Sequence, residues 1–255
     1  MTEAKILSRL EQIAGKKSFF YKNLVTGQTI SINEDMPMMA ASVIKIPIMI
    51  EAFRQIEAGL LSKDREYILK ETDKRPSCGC LNRMHAGLAV TVADLYNLMI
   101  ILSDNSATNI LIDLLGREQI NASMKEMGYQ HTSVNRLLFD REASERGIQN
   151  YVCAGEIADM LEKMYQGKLI SPEASAEMLE VLKEQRLNGK IPFHFVEKVP
   201  IAHKTGEDDG ITHDVGIVYG KQPFILCCMG NEMNPPEYER FMQDIAWELY
   251  LEGEA

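Results

Sequence analysis

The sequence predicts an α+β fold: an antiparallel sheet assembled from both ends of the chain, with a helical domain inserted between them. Three observations carry this. Strand-like stretches bounded by turn residues occur at 18–21 and 29–32 and return only after Pro200. The residues between about 62 and 190 carry helical periodicity with recognisable caps and stops. At 255 residues, 45% hydrophobic and 25% charged, the chain is composed like a folded protein able to bury a sizeable core. Read as domains, residues 1–60 and 191–255 form the sheet domain and 61–190 the helical one.

Taken in order, Ile6, Leu10 and Ile13 share one face of a short amphipathic helix. Val25-Thr26-Gly27-Gln28 supplies turn chemistry between the first two strands, so they read as a hairpin. A helix from Ser42 to Gly59 is apolar on nearly every side and should be buried. Pro47 is tolerated only near a helix start, which places that start close to Ser42. Thr91-Val92-Ala93-Asp94 is a capping box for a helix reaching about Leu102. A second helix spans 106–115, closed by Gly116. Residues 129–150 have weak periodicity and read as a long surface loop, a feature usually functional or disordered. Helices at 155–165 and 172–184 follow, then strands at 201–205, 212–219 and 224–229, and a last helix at 236–252.

Lys plus Arg number 27 against 37 Asp plus Glu, a net charge of −10 with no basic cluster. Nucleic acid and anionic membranes are therefore excluded as partners, and an anionic small molecule would need a local positive site. No stretch approaches the roughly 20 apolar residues of a membrane span. The N-terminus lacks the apolar core of a secretory leader, so the expectation is a cytoplasmic protein if Met1 is the natural start, and otherwise a secreted one. Five cysteines show no zinc spacing; Cys78-Gly79-Cys80 is too tight for an ordinary disulfide, and Cys227-Cys228 would face opposite sides of a strand. They read as buried, reduced thiols. A monomer without cofactor or metal is expected.

Three short motifs carry chemistry. In Ser42-Val43-Ile44-Lys45, residues three apart share a helix face, so the Lys45 amine can reach the Ser42 hydroxyl and take its proton. Burial and nearby cations would lower the lysine pKa enough for this, and free N–H groups at the helix start would stabilise developing negative charge. Ser103-Asp104-Asn105 lies at a helix junction, where Ser103 can relay a proton and Asn105 can orient Lys45 or a substrate carbonyl. Lys204-Thr205-Gly206 ends a strand: Lys204 offers charge to a substrate carboxylate, Thr205 a hydroxyl, and Gly206 room for a ligand along the strand edge. The N–H of Glu207 is a candidate second oxyanion donor. Alone, each motif is an ordinary cap or turn; their order and context together point to a serine acyl-transfer site.

With these motifs the chain resembles class A β-lactamases, and more closely the β-lactamase-related serine hydrolases, over almost its whole length. Pro37 to Ala41, Leu95 to Leu115, Ala202 to Gly206 and Thr212 to Gly216 add to the likeness. The resemblance implies a five-stranded antiparallel sheet flanked by helices, an active site in the groove beside a helical domain, an acyl-enzyme on Ser42 and no metal. Class A enzymes carry a glutamate in the long loop that activates the deacylating water. Counted without gaps from Gly128, Leu138 stands there, with Asp140, Glu142 and Glu145 as displaced candidates and Arg136 and Asn150 pinning the loop ends. Three readings follow: a β-lactam hydrolase; an esterase, peptidase or D,D-peptidase-like enzyme with poor β-lactam turnover; and a non-catalytic binder of the same fold. The histidines supply no classical triad, since His203 points to the face opposite Lys204.

Overall fold

The computed structural model describes residues 3–195 and 199–255. Helix α1 (Glu3–Gln12) leads into the hairpin β1 (Lys16–Asn23) and β2 (Thr29–Ile32). After β3 (Met38–Met39) comes a single 3-10 turn at Ala41–Ile44, which runs directly into α2 (Lys45–Glu57). Pro47 sits in the first turn of α2, where its missing N–H has no intrahelical partner to lose. The small strands β4 (Glu66–Ile68) and β5 (Ala89–Thr91) pair with each other and precede α3 (Val92–Ile101). Here the expected capping box forms: the Asp94 N–H donates to Thr91 Oγ1 at 3.0 Å, and the Thr91 N–H donates to Asp94 Oδ2 at 2.8 Å.

Helices α4 (Asn105–Leu115) and α5 (Arg117–Glu126) meet at Gly116, whose φ of 83° is the left-handed turn a glycine permits. Helix α5 has no counterpart in the sequence reading, because its few buried residues, such as Ile120 and Met124, are scattered among polar ones. The long loop carries one short helix, α6 (Arg141–Glu145), and ends in β6 (Tyr151–Val152), which pairs with β3. Helices α7 (Ala154–Tyr165) and α8 (Pro172–Lys183) follow, then a 3-10 turn at Ile191–His194, strands β7 (Ile201–Asp208), β8 (Ile211–Val218) and β9 (Phe224–Asn231), and α9 (Pro235–Glu254).

The five-stranded sheet runs β2-β1-β9-β8-β7, antiparallel throughout. It is covered on both faces, so β8 and β9 are buried at every position and do not alternate. One face, with Ala202, Val215, Ile217 and Cys227, joins the core built by α2 to α5, α7 and α8. The other, with Ile201, Val218, Leu226 and Cys228, packs on α1 and α9. Cys227 and Cys228 thus face opposite sides, as the pleat requires. Strand β7 lies at the sheet edge, beside the 3-10 turn that carries Ser42. Among the described residues no helix is long and apolar enough to cross a membrane, and no cluster of side chains could hold a metal ion.

Candidate active site

Ser42 stands at the start of a buried helix because the chain turns sharply just before it. Ala41 has φ of 41°, a strained left-handed value for a residue with a Cβ. That turn is held by the N–H of Val43 on the Ala40 carbonyl at 3.0 Å and by the N–H of Ala40 on the Asn150 carbonyl at 2.9 Å. Ser42 is half-buried and lines a cleft of about 650 Å³, shared with Ser103, Asn105, Thr205, Glu207 and Leu138.

Lys45 and Lys204 do not line the cleft; both are fully buried behind it. The Lys45 amine lies 2.7 Å from the Ser103 carbonyl, 2.9 Å from Ser103 Oγ and 2.9 Å from Asn105 Oδ1. The Lys204 amine donates to the same Ser103 Oγ at 3.1 Å and to the Thr205 carbonyl at 2.9 Å. Ser103 is therefore the hydroxyl between two amines, and its φ of 53° is the strain that turns it there. The expected contact between Lys45 and Ser42 is not among the hydrogen bonds of the described residues: the three oxygens of Ser103 and Asn105 occupy the amine. Burial holds Lys45 well below the ordinary lysine range, and the neighbouring Lys204 charge pushes the same way. Burial also lowers Lys204, to about 7, with Asp214 and other anionic groups opposing the fall.

The strand wall is the open edge of β7. The Tyr219 N–H donates to the Pro200 carbonyl, so the antiparallel alternation puts Ala202, Lys204 and Gly206 in hydrogen-bonded pairs and turns the N–H groups of Thr205 and Glu207 outward. Gly206 also stands where a side chain would crowd its neighbours. A Cβ there would lie 3.0 Å from His213 Cδ2, 3.2 Å from Val43 Cγ2 and 3.3 Å from the Ala40 carbonyl, so the glycine lets β7 pass close to the turn bearing Ser42. The Glu207 carboxylate pairs with Lys190 at 3.0 Å on the outer side. His203 points away from the cleft, as expected, and bonds Asp214 at 2.9 Å.

The facing wall is the loop 135–150. Asn109 of α4 holds Leu138 by both backbone groups, the Leu138 N–H donating to Oδ1 and Nδ2 donating to the Leu138 carbonyl, each at 2.9 Å. Asn150 Oδ1 accepts the N–H groups of Asn135 and Arg136 at 2.7 and 2.9 Å, while the Arg136 guanidinium goes to Gln149. Among the displaced candidates, Asp140 reaches the cleft, but its Oδ1 caps α6 at the Ala143 N–H. Glu142 and Glu145 are exposed outside it. Asn109 was missed by the sequence reading; a polar residue one turn beyond Asn105 on a buried helix was the available signal. Also missed was the place of Cys78: it and Cys80 are half-buried, not core thiols, and Cys78 lines the cleft.

The beta-lactamase enzyme family model matches residues 2–252. The beta-lactamase VEB-1 of Pseudomonas aeruginosa is 25% identical over 249 residues, covering 88% of this chain and 81% of its own. The crystal structure of a beta-lactamase from Sphaerobacter thermophilus superposes with a TM-score of 0.90 at 27% identity, covering 98% of this chain and 96% of that one. PBP-A superposes at 0.89 and 24% identity over 99% of this chain and 95% of that one, a likeness of fold. A single-substitution mutant of PBP-A is an acyl-enzyme complex with penicillin G.

Proposed function

The chain belongs to the beta-lactamase enzyme family, and on that premise we propose that it is a serine acyl hydrolase. Its substrates are β-lactams, or related amides and esters bearing a carboxylate, opened through an acyl-enzyme on Ser42. One observation carries the reading: Ser103 Oγ lies 2.9 Å from the Lys45 amine and 3.1 Å from the Lys204 amine, beside a cleft that Ser42 lines.

In this mechanism the Lys45 amine, whose hold on its proton burial weakens, turns from its Ser103 and Asn105 contacts to Ser42 and takes the hydroxyl proton as Ser42 Oγ bonds to the substrate carbonyl carbon. The carbonyl electron pair moves onto oxygen, where the N–H groups of Ser42 and Glu207 stabilise it. As the carbon–nitrogen bond breaks, Ser103 gives its proton to the departing nitrogen and regains one from Lys45, so the proton inventory closes. Asn105 orients Lys45 through the 2.9 Å contact. Lys204, with the Thr205 hydroxyl, attracts the substrate carboxylate from behind Ser103.

The deacylation half is poorly provided for. Class A enzymes hold their water-activating glutamate where Leu138 stands here, and Asp140 is engaged in a helix cap. Acylation therefore outruns hydrolysis, and this same residue favours the second reading, an esterase or D,D-peptidase-like enzyme with slow β-lactam turnover. Time-resolved intact mass spectrometry with benzylpenicillin tests the proposal. An adduct persisting for minutes, absent in Ser42→Ala, is expected; an unmodified mass under saturating reagent would sink it. Faster turnover of short p-nitrophenyl esters than of nitrocefin would favour the second reading.

A further inference from the structure

Near the end of β7, on the α9 side of the sheet, lies a charged side chain that the mechanism above does not use. Lys190 immediately precedes the 3-10 turn at Ile191–His194; it is buried and does not line the cleft. The adjoining residue fixes its backbone: the Ile191 N–H donates to Asp214 Oδ2 at 2.9 Å, and Asp214 Oδ1 lies 2.9 Å from His203 Nδ1. An ammonium has three protons to place, and three acceptors meet this one. They are the Gly206 carbonyl at 3.2 Å, the His213 carbonyl at 3.2 Å and the Glu207 carboxylate at 3.0 Å.

The first of these acceptors belongs to the peptide that matters in the cleft. Gly206 and His213 are partners in the β7–β8 register, so the Gly206 carbonyl points toward β8, where it also meets Lys190. A planar trans peptide directs its N–H opposite to its carbonyl, and the N–H of this unit is that of Glu207, turned toward the cleft. The unit is also one conjugated system. A cation on its oxygen draws electron density from the nitrogen and makes the N–H a stronger donor, the coupling by which chained hydrogen bonds reinforce one another. The Glu207 side chain is 62% exposed and its charge is screened by water, whereas that of Lys190 is 3% exposed and acts on the carbonyl through the protein interior. Glu239 of α9 stands farther off, at 3.8 Å, and the same oxygen accepts the Thr212 hydroxyl at 2.8 Å. The positive end of the cluster is therefore the end held against the carbonyl.

We propose that Lys190 is a positioning residue of the oxyanion site. From behind β7 it clamps and polarises the Gly206–Glu207 peptide, and so strengthens the Glu207 N–H that receives the developing negative oxygen. Lys190 itself touches no substrate. This rests on the acyl-hydrolase reading of the cleft, in which that N–H is one of two oxyanion donors.

The experiment compares wild type, Lys190→Met and Lys190→Arg with benzylpenicillin, which has a carboxylate, and with p-nitrophenyl acetate, which has none. Pre-steady-state kinetics give the substrate dissociation constant and the acylation rate constant at saturation. In Lys190→Met the rate constant should fall by about 10-fold with both substrates, a part of the 100- to 1,000-fold that losing a whole oxyanion donor costs. The dissociation constant stays level, because the charge on the oxygen develops only toward the transition state. Lys190→Arg keeps the cation and should recover most of the rate. A loss confined to benzylpenicillin would mean that the charge serves the substrate carboxylate, and would overturn the inference. So would an equal loss in both variants, the mark of a merely structural role.

The Glu207 amide supplies a readout that needs no turnover. In protein carrying ¹³C′-glycine and ¹⁵N-glutamate, its peptide signal, assigned through Glu207→Gln, should move upfield in the proton dimension in Lys190→Met and return in Lys190→Arg. An unmoved signal would overturn the inference even with acylation intact. If Lys190→Met does not fold, Lys190→Gln, neutral but still able to donate to a carbonyl, is read by the same rate and signal with the same directions expected. A signal that moves as expected in a protein that neither substrate acylates would sink the functional reading and leave the polarised peptide standing.

Discussion

An acyl-enzyme turns over only when water reaches the ester with a base beside it, and at Leu138 the cleft presents a branched alkyl group instead. Asn109 grips both backbone groups of this residue, so a replacement side chain would start from the same place. Leu138→Glu should therefore shorten the lifetime of the penicillin adduct by about 100-fold, the low end of what a positioned general base contributes. The adduct decay in the mass trace measures it, and an unchanged lifetime would mean that water approaches from another side. Leu138 was legible as a simple count from Gly128. That Ser42, Lys45, Ser103 and Lys204 belong together was legible because the chemistry proposed for them needs fixed residue types within three or four positions, and the fold gathers them around Ser103. Asp214, Lys190 and Cys78 were not, since each matters through contacts that cross the fold. The packing role of Gly206 was not legible either: spacing says that a glycine is there, but only the neighbouring turn says how close β7 passes to it.

At the scale of elements, the junction of α3 and α4 does two jobs with three consecutive residues. Asp104 is the N-cap of α4, accepting the Ala107 N–H at 2.9 Å, so reading the triplet as a helix cap is correct for its middle residue. The same carboxylate accepts the N–H groups of Cys80 at 2.7 Å and Leu81 at 2.8 Å, tying the loop before β5 to the helix start. Ser103 and Asn105 flank the cap and are thereby aimed into the cleft. Asp104→Ala removes a cap and leaves three N–H groups near a buried site without their acceptor, which should cost about 2–4 kcal/mol. Thermal or urea unfolding would detect this directly. Acylation should fall as well, because the strained Ser103 turn has lost its neighbour. A variant as stable as wild type would show that the loop and helix hold each other by other means. Helix boundaries here were readable because caps are local chemistry; α5 and α6 were not, because few of their residues are buried and the apolar period is correspondingly faint.

At the scale of the whole molecule, the sheet is sandwiched between two cores, and this decides what the sequence could reveal of it. Continuous burial of β8 and β9 gave unmistakable strands, yet it erased the alternation that would have told one face from the other. Histidines and aspartates inside such strands look like surface residues until the second core is seen. The global charge of −10 acts in the opposite sense to the local site. A substrate carboxylate approaching from solvent meets a repulsive field, reinforced at the cleft mouth by Glu207, Asp208 and Asp209, and feels Lys204 only at contact, since that amine is fully buried. Salt screens the long-range part over a Debye length of about 10 Å at 0.1 M and leaves the buried short-range part nearly intact. Raising sodium chloride from about 0.01 to about 0.3 M should therefore increase the second-order acylation constant of benzylpenicillin by about 2-fold, while neutral p-nitrophenyl acetate stays level. Stopped-flow measurement at sub-saturating substrate resolves a change of this size. A constant that falls with salt would mean that Arg136 and Arg141, on the loop wall, outweigh the molecule's net charge at the moment of encounter.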